Sequence, residues 1–230
     1  MDSLSGPGAL GPPSSEPRVL VVPGAAVRRY VEPVTDTLTA RGVPTRLLDA
    51  PGQAGASADL SIYGARLGRC LSDGGPVDLL VGLSVGTQAA AVAAAAAQRG
   101  RVGHLLLVGP TVDPERRTVA RFVAAWARAG TREDTSLFPR QVPDWRGAGV
   151  RQLAGVVRSA LSVRLEKVLA DVPCPITVVH AERDIVTSHD YAAGLATVFG
   201  QQLVVIPGAT HSWPYADGAG FADLVAAVLR

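Results

Sequence analysis

From Arg18 onward, short runs of β-branched and leucine residues alternate with longer stretches in which apolar positions recur every three or four residues. The first run, Arg18-Val19-Leu20-Val21-Val22, has no polar alternation and stops at Pro23-Gly24, as expected of a strand buried on both faces of a parallel sheet. Tyr30, Val31, Val34 and Leu38 then predict a helix ending near Gly42, and Pro44 to Leu48 a second strand. A helix over Ile62 to Leu71 leads into a strand at Val77-Asp78-Leu79-Leu80-Val81, followed by an alanine-rich helix from Val85 to Gln98 and a strand at Leu105 to Val108. The rhythm then changes. Pro110 to Ala170 holds no strand pattern but two amphipathic ones, Val119/Phe122/Val123/Trp126 and Leu153/Val156/Val157/Leu161. Alternation resumes with a strand at Ile176 to Val179, a helix from Ser188, a strand at Gln202 to Ile206, and a last helix through Phe221, Leu224, Val225 and Val228.

This pattern predicts an α/β fold: a mostly parallel sheet with helices on both faces and an inserted helical cap. The core would comprise residues 18–110 and 171–230, the cap residues 111–170, and a flexible N-terminal arm residues 1–17. No internal repeat is visible. With 230 residues, 47% hydrophobic and 18% charged, the chain has enough apolar mass for a substantial core, supplied mostly by Ala, Val and Leu because aromatic residues make up only 5%. A net charge of +2 lacks the dense basic stripe of a nucleic-acid binder. The tract from Ala89 to Ala97 is too short to span a bilayer. Residues 1–17 show neither a basic n-region nor a continuous apolar stretch, so a cytoplasmic location with no membrane partner is expected. Cys70 and Cys174 sit in apolar surroundings without metal-ligand spacing and are expected to be reduced thiols; no metal site follows.

Candidate chemistry begins at Gly82-Leu83-Ser84-Val85-Gly86, a G-x-S-x-G pentapeptide between a predicted strand and a predicted helix. A serine on such a turn projects its hydroxyl above the sheet, and the tightness of the turn demands small neighbours. Serine attacks an acyl carbon only when an imidazole takes its proton. Of the four histidines, His104 opens a strand, His180 closes one and His189 follows a probable helix start; structural or exposed positions are expected for all three. His211 lies in Pro207-Gly208-Ala209-Thr210-His211-Ser212-Trp213, directly after the last predicted strand, where parallel sheets build sites. An acid to orient it is available at Asp184, past the preceding strand, with Asp113 and Glu182 as rival positions.

With these residues in place, the chain resembles the α/β-hydrolase family from about Arg18 to the C-terminus, in the serine, acid, histidine order of that family. The resemblance implies Ser84 as nucleophile, Asp184 as acid and His211 as base, with no metal or organic cofactor. It further implies an oxyanion hole from the backbone N–H groups of Val85 and Ala25, the latter in the loop Val22-Pro23-Gly24-Ala25-Ala26. The family often has His-Gly in that loop where this chain has Pro23-Gly24, a departure that leaves a backbone donor intact. Two strands common before this point are missing, as in smaller members.

The implied reaction is hydrolysis of a small carboxylic ester or thioester through an acyl-enzyme. Acyl transfer or cyclisation, or C–C bond hydrolysis, would use the same triad, and a ligand-binding protein on the same scaffold would not turn over at all. Between Thr111 and Ala170 there are eleven Arg or Lys and six Asp or Glu, a surplus of five positive charges. Such a cap would suit an anionic or carrier-bound acyl substrate, although exposed arginines on amphipathic helices give the same count. Tyr30 and Trp213 are placed to meet substrate, and Trp126, Trp145 and Phe122 to roof a pocket.

Overall fold

A computed structural model describes residues 18–53 and 55–230; the expected N-terminal arm, residues 1–17, lies outside the described residues. Six strands form one sheet: β1 (Val19–Val22), β2 (Thr45–Leu47), β3 (Val77–Leu83), β4 (Val102–Val108), β5 (Ile176–Ala181) and β6 (Gln202–Ile206). Their order is β2-β1-β3-β4-β5-β6, and every pairing is parallel. From β1 the chain steps to β2 on one side, whereas from β3 it steps outward to β4, β5 and β6 on the other. The crevice beyond the carboxyl ends of β1 and β3 is therefore the switch point at which sheets of this kind open a site.

Alternate side chains of each central strand feed opposite faces. Leu20, Val22, Leu80, Leu105, Leu107 and Val178 enter one apolar layer together with α2 (Leu60–Asp73) and α3 (Gly86–Ala96). Val19, Val21, Leu79, Val81, Leu106 and Val179 enter the other, covered by α1 (Glu32–Ala40) and the C-terminal helix. Because the interior strands are covered on both faces, they carry no polar alternation. Helices α2 and α3 approach closely because α2 presents Gly64 and Gly68, where a Cβ would come within 2.6 Å of Val92 and 2.8 Å of Ala96 respectively. Asp59 caps α2 by accepting from the N–H groups of Ser61 and Ile62.

The expected insertion between β4 and β5 is helical: α4 (Val119–Gly130), α5 (Leu137–Ser162) and α6 (Leu165–Val168). Helix α5 is interrupted at Gly149, whose φ of 77° and ψ of 161° are non-helical. The end of this segment is less separate than the sequence pattern suggests. Val156, Ala160, Val163, Leu165 and Leu169 belong to the same apolar layer as α3. The buried Gln88 side chain donates to the carbonyls of Ala160 and Val163, both at 2.8 Å, satisfying groups that the end of α5 leaves unpaired. The remaining helices are α7 (His189–Val198), α8 (Trp213–Ala216) and α9 (Gly218–Val228). Among the described residues, no helix is long and apolar enough to cross a membrane.

Candidate active site

Ser84 follows the last residue of β3 and precedes α3 with φ at 54°, one of only two described non-glycine residues in the left-handed region. Such a conformation costs on the order of 1–3 kcal/mol and persists only where its surroundings impose it. The constraint comes from both sides. Ser84 N–H donates to the Val108 carbonyl at 2.9 Å, and the Ser84 carbonyl accepts from Thr87 N–H at 3.0 Å and Thr87 Oγ1 at 2.5 Å. Glycines flank the turn because there is no room for more: a Cβ at Gly82 would lie 2.5 Å from the Thr87 Cα, and one at Gly86 would collide with the Val22 and Pro23 carbonyls.

Ser84 Oγ lies 2.9 Å from His211 Nε2, and His211 Nδ1 lies 2.7 Å from Asp184 Oδ2. Three residues separated by up to 127 positions thus form one hydrogen-bonded line at the carboxyl edge of the sheet. The other oxygen of Asp184 accepts from the N–H groups of Val186 at 2.7 Å and Thr187 at 3.0 Å. Burial pushes the Asp184 carboxyl up, but the His211 charge, its hydrogen bond and those two amides hold it below the usual carboxylate value. Burial pushes the His211 imidazole down, yet Asp184, with a further contribution from Glu133, holds it above its ordinary value.

The rival acids are occupied elsewhere. Asp113 caps a short 3-10 turn through Glu115 N–H and accepts from Ser188 Oγ, and Glu182 accepts from Gly208 N–H at 2.6 Å. Among the other histidines, His104 is bonded to Thr177 Oγ1 at 2.9 Å, His180 is buried edge-on to His189, and His189 is exposed.

Above Ser84 opens a cavity of about 330 Å³. Ala25, Val85 and Tyr30 form its floor beside Ser84 and His211, while Phe122, Val123, Trp126, Phe138 and Trp145 from the helical insertion line it further out. Among the described residues no Arg, Lys, Asp or Glu lines it. Three basic residues of the insertion are engaged elsewhere: Arg116 donates to the Ile185 and Val186 carbonyls, Arg117 pairs with Glu166, and Arg140 stacks over Tyr215. Tyr30 is buried, and its hydroxyl is held well above the usual phenol value by burial and by the charge of Glu133. Trp126 meets Trp145 edge to face at 5.0 Å. Trp213 corrects the expectation drawn from its nearness to His211. The chain turns into α8 at this residue, so the indole is buried against Phe221, 5.7 Å between ring centres, and is not among the residues that line the cavity.

Three contributors carry no local sequence signal. Gly109, with φ at 58°, ends β4 where a Cβ would stand 3.0 Å from the imidazole carbon of His211. Glu133, in the polar turn between α4 and α5, accepts from Thr210 Oγ1 at 2.9 Å and from Ser212 N–H at 3.2 Å. Asp144, buried on α5, accepts from the N–H groups of Arg28 at 2.7 Å and Arg29 at 2.9 Å. Among the described residues no group of three or more His, Cys, Asp or Glu is placed to hold a metal ion, and Cys70 and Cys174 are free.

A profile of the alpha/beta hydrolase family matches residues 19–224. The chain belongs to the alpha/beta hydrolase family. No protein with a curated description matches its sequence. Its fold is shared with solved alpha/beta hydrolase structures at low identity. A hydrolase from Oleispira antarctica is 14% identical with a TM-score of 0.74, over 92% of this chain and 90% of that one. E-2-(acetamidomethylene)succinate hydrolase is 20% identical at 0.71, over 92% and 90%. Est816, described as an N-acyl homoserine lactone degrading enzyme, is 15% identical at 0.73, over 91% and 92%.

Proposed function

We propose that this alpha/beta hydrolase cleaves a small carboxylic ester or thioester through an acyl-enzyme on Ser84. The observation that carries the reading is the line Ser84 Oγ, His211, Asp184, with contacts of 2.9 and 2.7 Å, opening into a substrate-sized cavity. In the first half-reaction His211 Nε2 takes the Ser84 proton as Oγ bonds to the acyl carbon. Asp184 stabilises the imidazolium, and the N–H groups of Ala25 and Val85 receive the oxyanion. Collapse of the tetrahedral species expels the alcohol or thiol, which leaves with the proton from His211. In the second half-reaction His211 takes a proton from water, whose oxygen attacks the acyl carbon. The acid departs and Ser84 recovers its proton, so ester plus water becomes acid plus alcohol.

The apolar lining supports an uncharged, apolar acyl group. A carboxylate in this cavity would be desolvated without a cationic partner, which costs several kcal/mol. Tyr30 and Trp126, which both line the cavity, contact the acyl portion.

A fluorophosphonate probe should label the wild-type protein and fail to label Ser84→Ala, with hydrolysis reduced by about 10⁶-fold in that variant. Equal labelling of the two proteins would end the nucleophile assignment. A panel pairing neutral and dicarboxylic acyl esters and thioesters of matched length should show turnover of the neutral members; preference for the dicarboxylic ones would overturn the assignment of the acyl group.

A further inference from the structure

The two loops flanking Ser84 are each gripped by a carboxylate from the inserted helices. Glu133 receives hydrogen bonds from Thr210 Oγ1 and Ser212 N–H, the residues on either side of His211. Asp144 receives Arg28 N–H, Arg29 N–H and, at 3.1 Å, Arg29 Nε, all from the loop that carries Ala25. Beside it, Trp145 Nε1 donates to the Ala25 carbonyl at 3.4 Å. Neither carboxylate touches Ser84, and each spans more than 70 residues of sequence to reach its loop. A lining segment needs only apolar side chains to shape a cavity, so one buried and one half-buried carboxylate are not accounted for by that task. Each is costly to bury, and each spends its lone pairs on backbone or side-chain donors of a site loop.

We propose that Glu133 and Asp144 are positioning residues through which the inserted helices fix the imidazole loop and the loop bearing Ala25 for acyl transfer. The inference rests on the reaction assigned above and extends it: the insertion organises the reacting groups as well as enclosing the substrate. The two grips differ in chemistry. Asp144 holds two backbone amides and the Arg29 side chain and does not bear on the imidazole, so its effect is geometric. Glu133 also places negative charge near the imidazole, whose surroundings are Asp184 at Nδ1, Ser84 at Nε2, and His180 from β5; Tyr30 faces Glu133 from the other loop. Losing that charge lowers the basicity of His211. The base works only when neutral, so the acidic limb of kcat/KM follows the His211 midpoint and moves to lower pH with it.

The test follows the His211 imidazole by NMR titration of the full chain, together with kcat and KM for a neutral ester across pH. In Glu133→Gln, which keeps the size and one acceptor, the His211 midpoint and the acidic limb should both move to lower pH, and kcat should fall about tenfold with KM nearly unchanged. Asp144→Asn should leave the midpoint in place while weakening a trifluoromethyl ketone inhibitor about tenfold. Thr210→Val removes one donor to Glu133 without touching the carboxylate and should lower kcat, which serves if the Gln variant does not fold. An unchanged His211 midpoint in Glu133→Gln, an unchanged kcat in Thr210→Val, or unaltered inhibitor affinity in Asp144→Asn overturns the proposal for the residue concerned. The titration needs no turnover, so a failed Glu133 assignment is distinguishable from a failed assignment of Ser84, which the labelling experiment reads.

Discussion

Ser84 and His211 meet at 2.9 Å, but they are held there by different means. The serine is positioned by backbone: a strand end, a helix start, a left-handed φ and two glycines without space for a Cβ. The histidine stands on a loop and is positioned mainly by side chains, Asp184 at one ring nitrogen and Glu133 on its neighbours. A backbone-held group fails through packing, as a unit with the fold around it. A group held by side chains can be tuned one contact at a time without disturbing the sheet.

The sharpest way to test that contrast is Asp184→Asn. The amide still accepts from Val186 and Thr187 N–H, yet it favours the wrong imidazole tautomer, so kcat should fall about 10⁴-fold while the melting temperature stays close to wild type. A large loss of stability with little change in kcat would assign Asp184 to the fold instead. Next in size is Gly109→Ala. The added methyl would press on the imidazole at a position whose φ already disfavours a side chain, so kcat should drop roughly 100-fold with about 1 kcal/mol or more lost from stability in denaturant melts. Wild-type kinetics would mean that the histidine loop yields freely. The smallest effects separate two tryptophans. Trp126→Ala should raise KM for bulky acyl esters about tenfold with kcat held, because its indole lines the cavity. Trp213→Phe should leave KM alone and cost about 1 kcal/mol of stability. Reversed outcomes for this pair would contradict the placement of the two rings.

What was legible in the sequence divides along the same line. Apolar runs marked the four interior strands, because covering a sheet on both faces leaves a local trace; the edge strand β2, Thr-Arg-Leu and half-buried, carries none. Ser84, Asp184 and His211 could be read because each follows a strand and so inherits a predictable place at the sheet edge. Strands β3, β4 and β5 run longer than their apolar runs: β4 begins at Val102 because that residue pairs with Val77 of β3, a register no local pattern reveals. Glu133, Asp144, Gln88 and Gly109 act across large sequence separations from turns or helix faces with no periodic signature. Trp213 was misplaced because nearness in sequence to His211 says nothing about which way the chain turns after it. The charge surplus of residues 111–170 was correctly counted, but a count cannot say which side chains face inward, and those that line the cavity are uncharged.

The amide of Gln88 has one more implication. It sits four residues past Ser84 and binds two carbonyls at the far end of α5, so that lifting this end would strand buried polar groups at about 1–3 kcal/mol each. The stretch beyond the break at Gly149 is thereby riveted to the helix that begins just after Ser84. By the same reasoning, any movement of the roof falls to the part before that break, where Gly149 is the non-helical link.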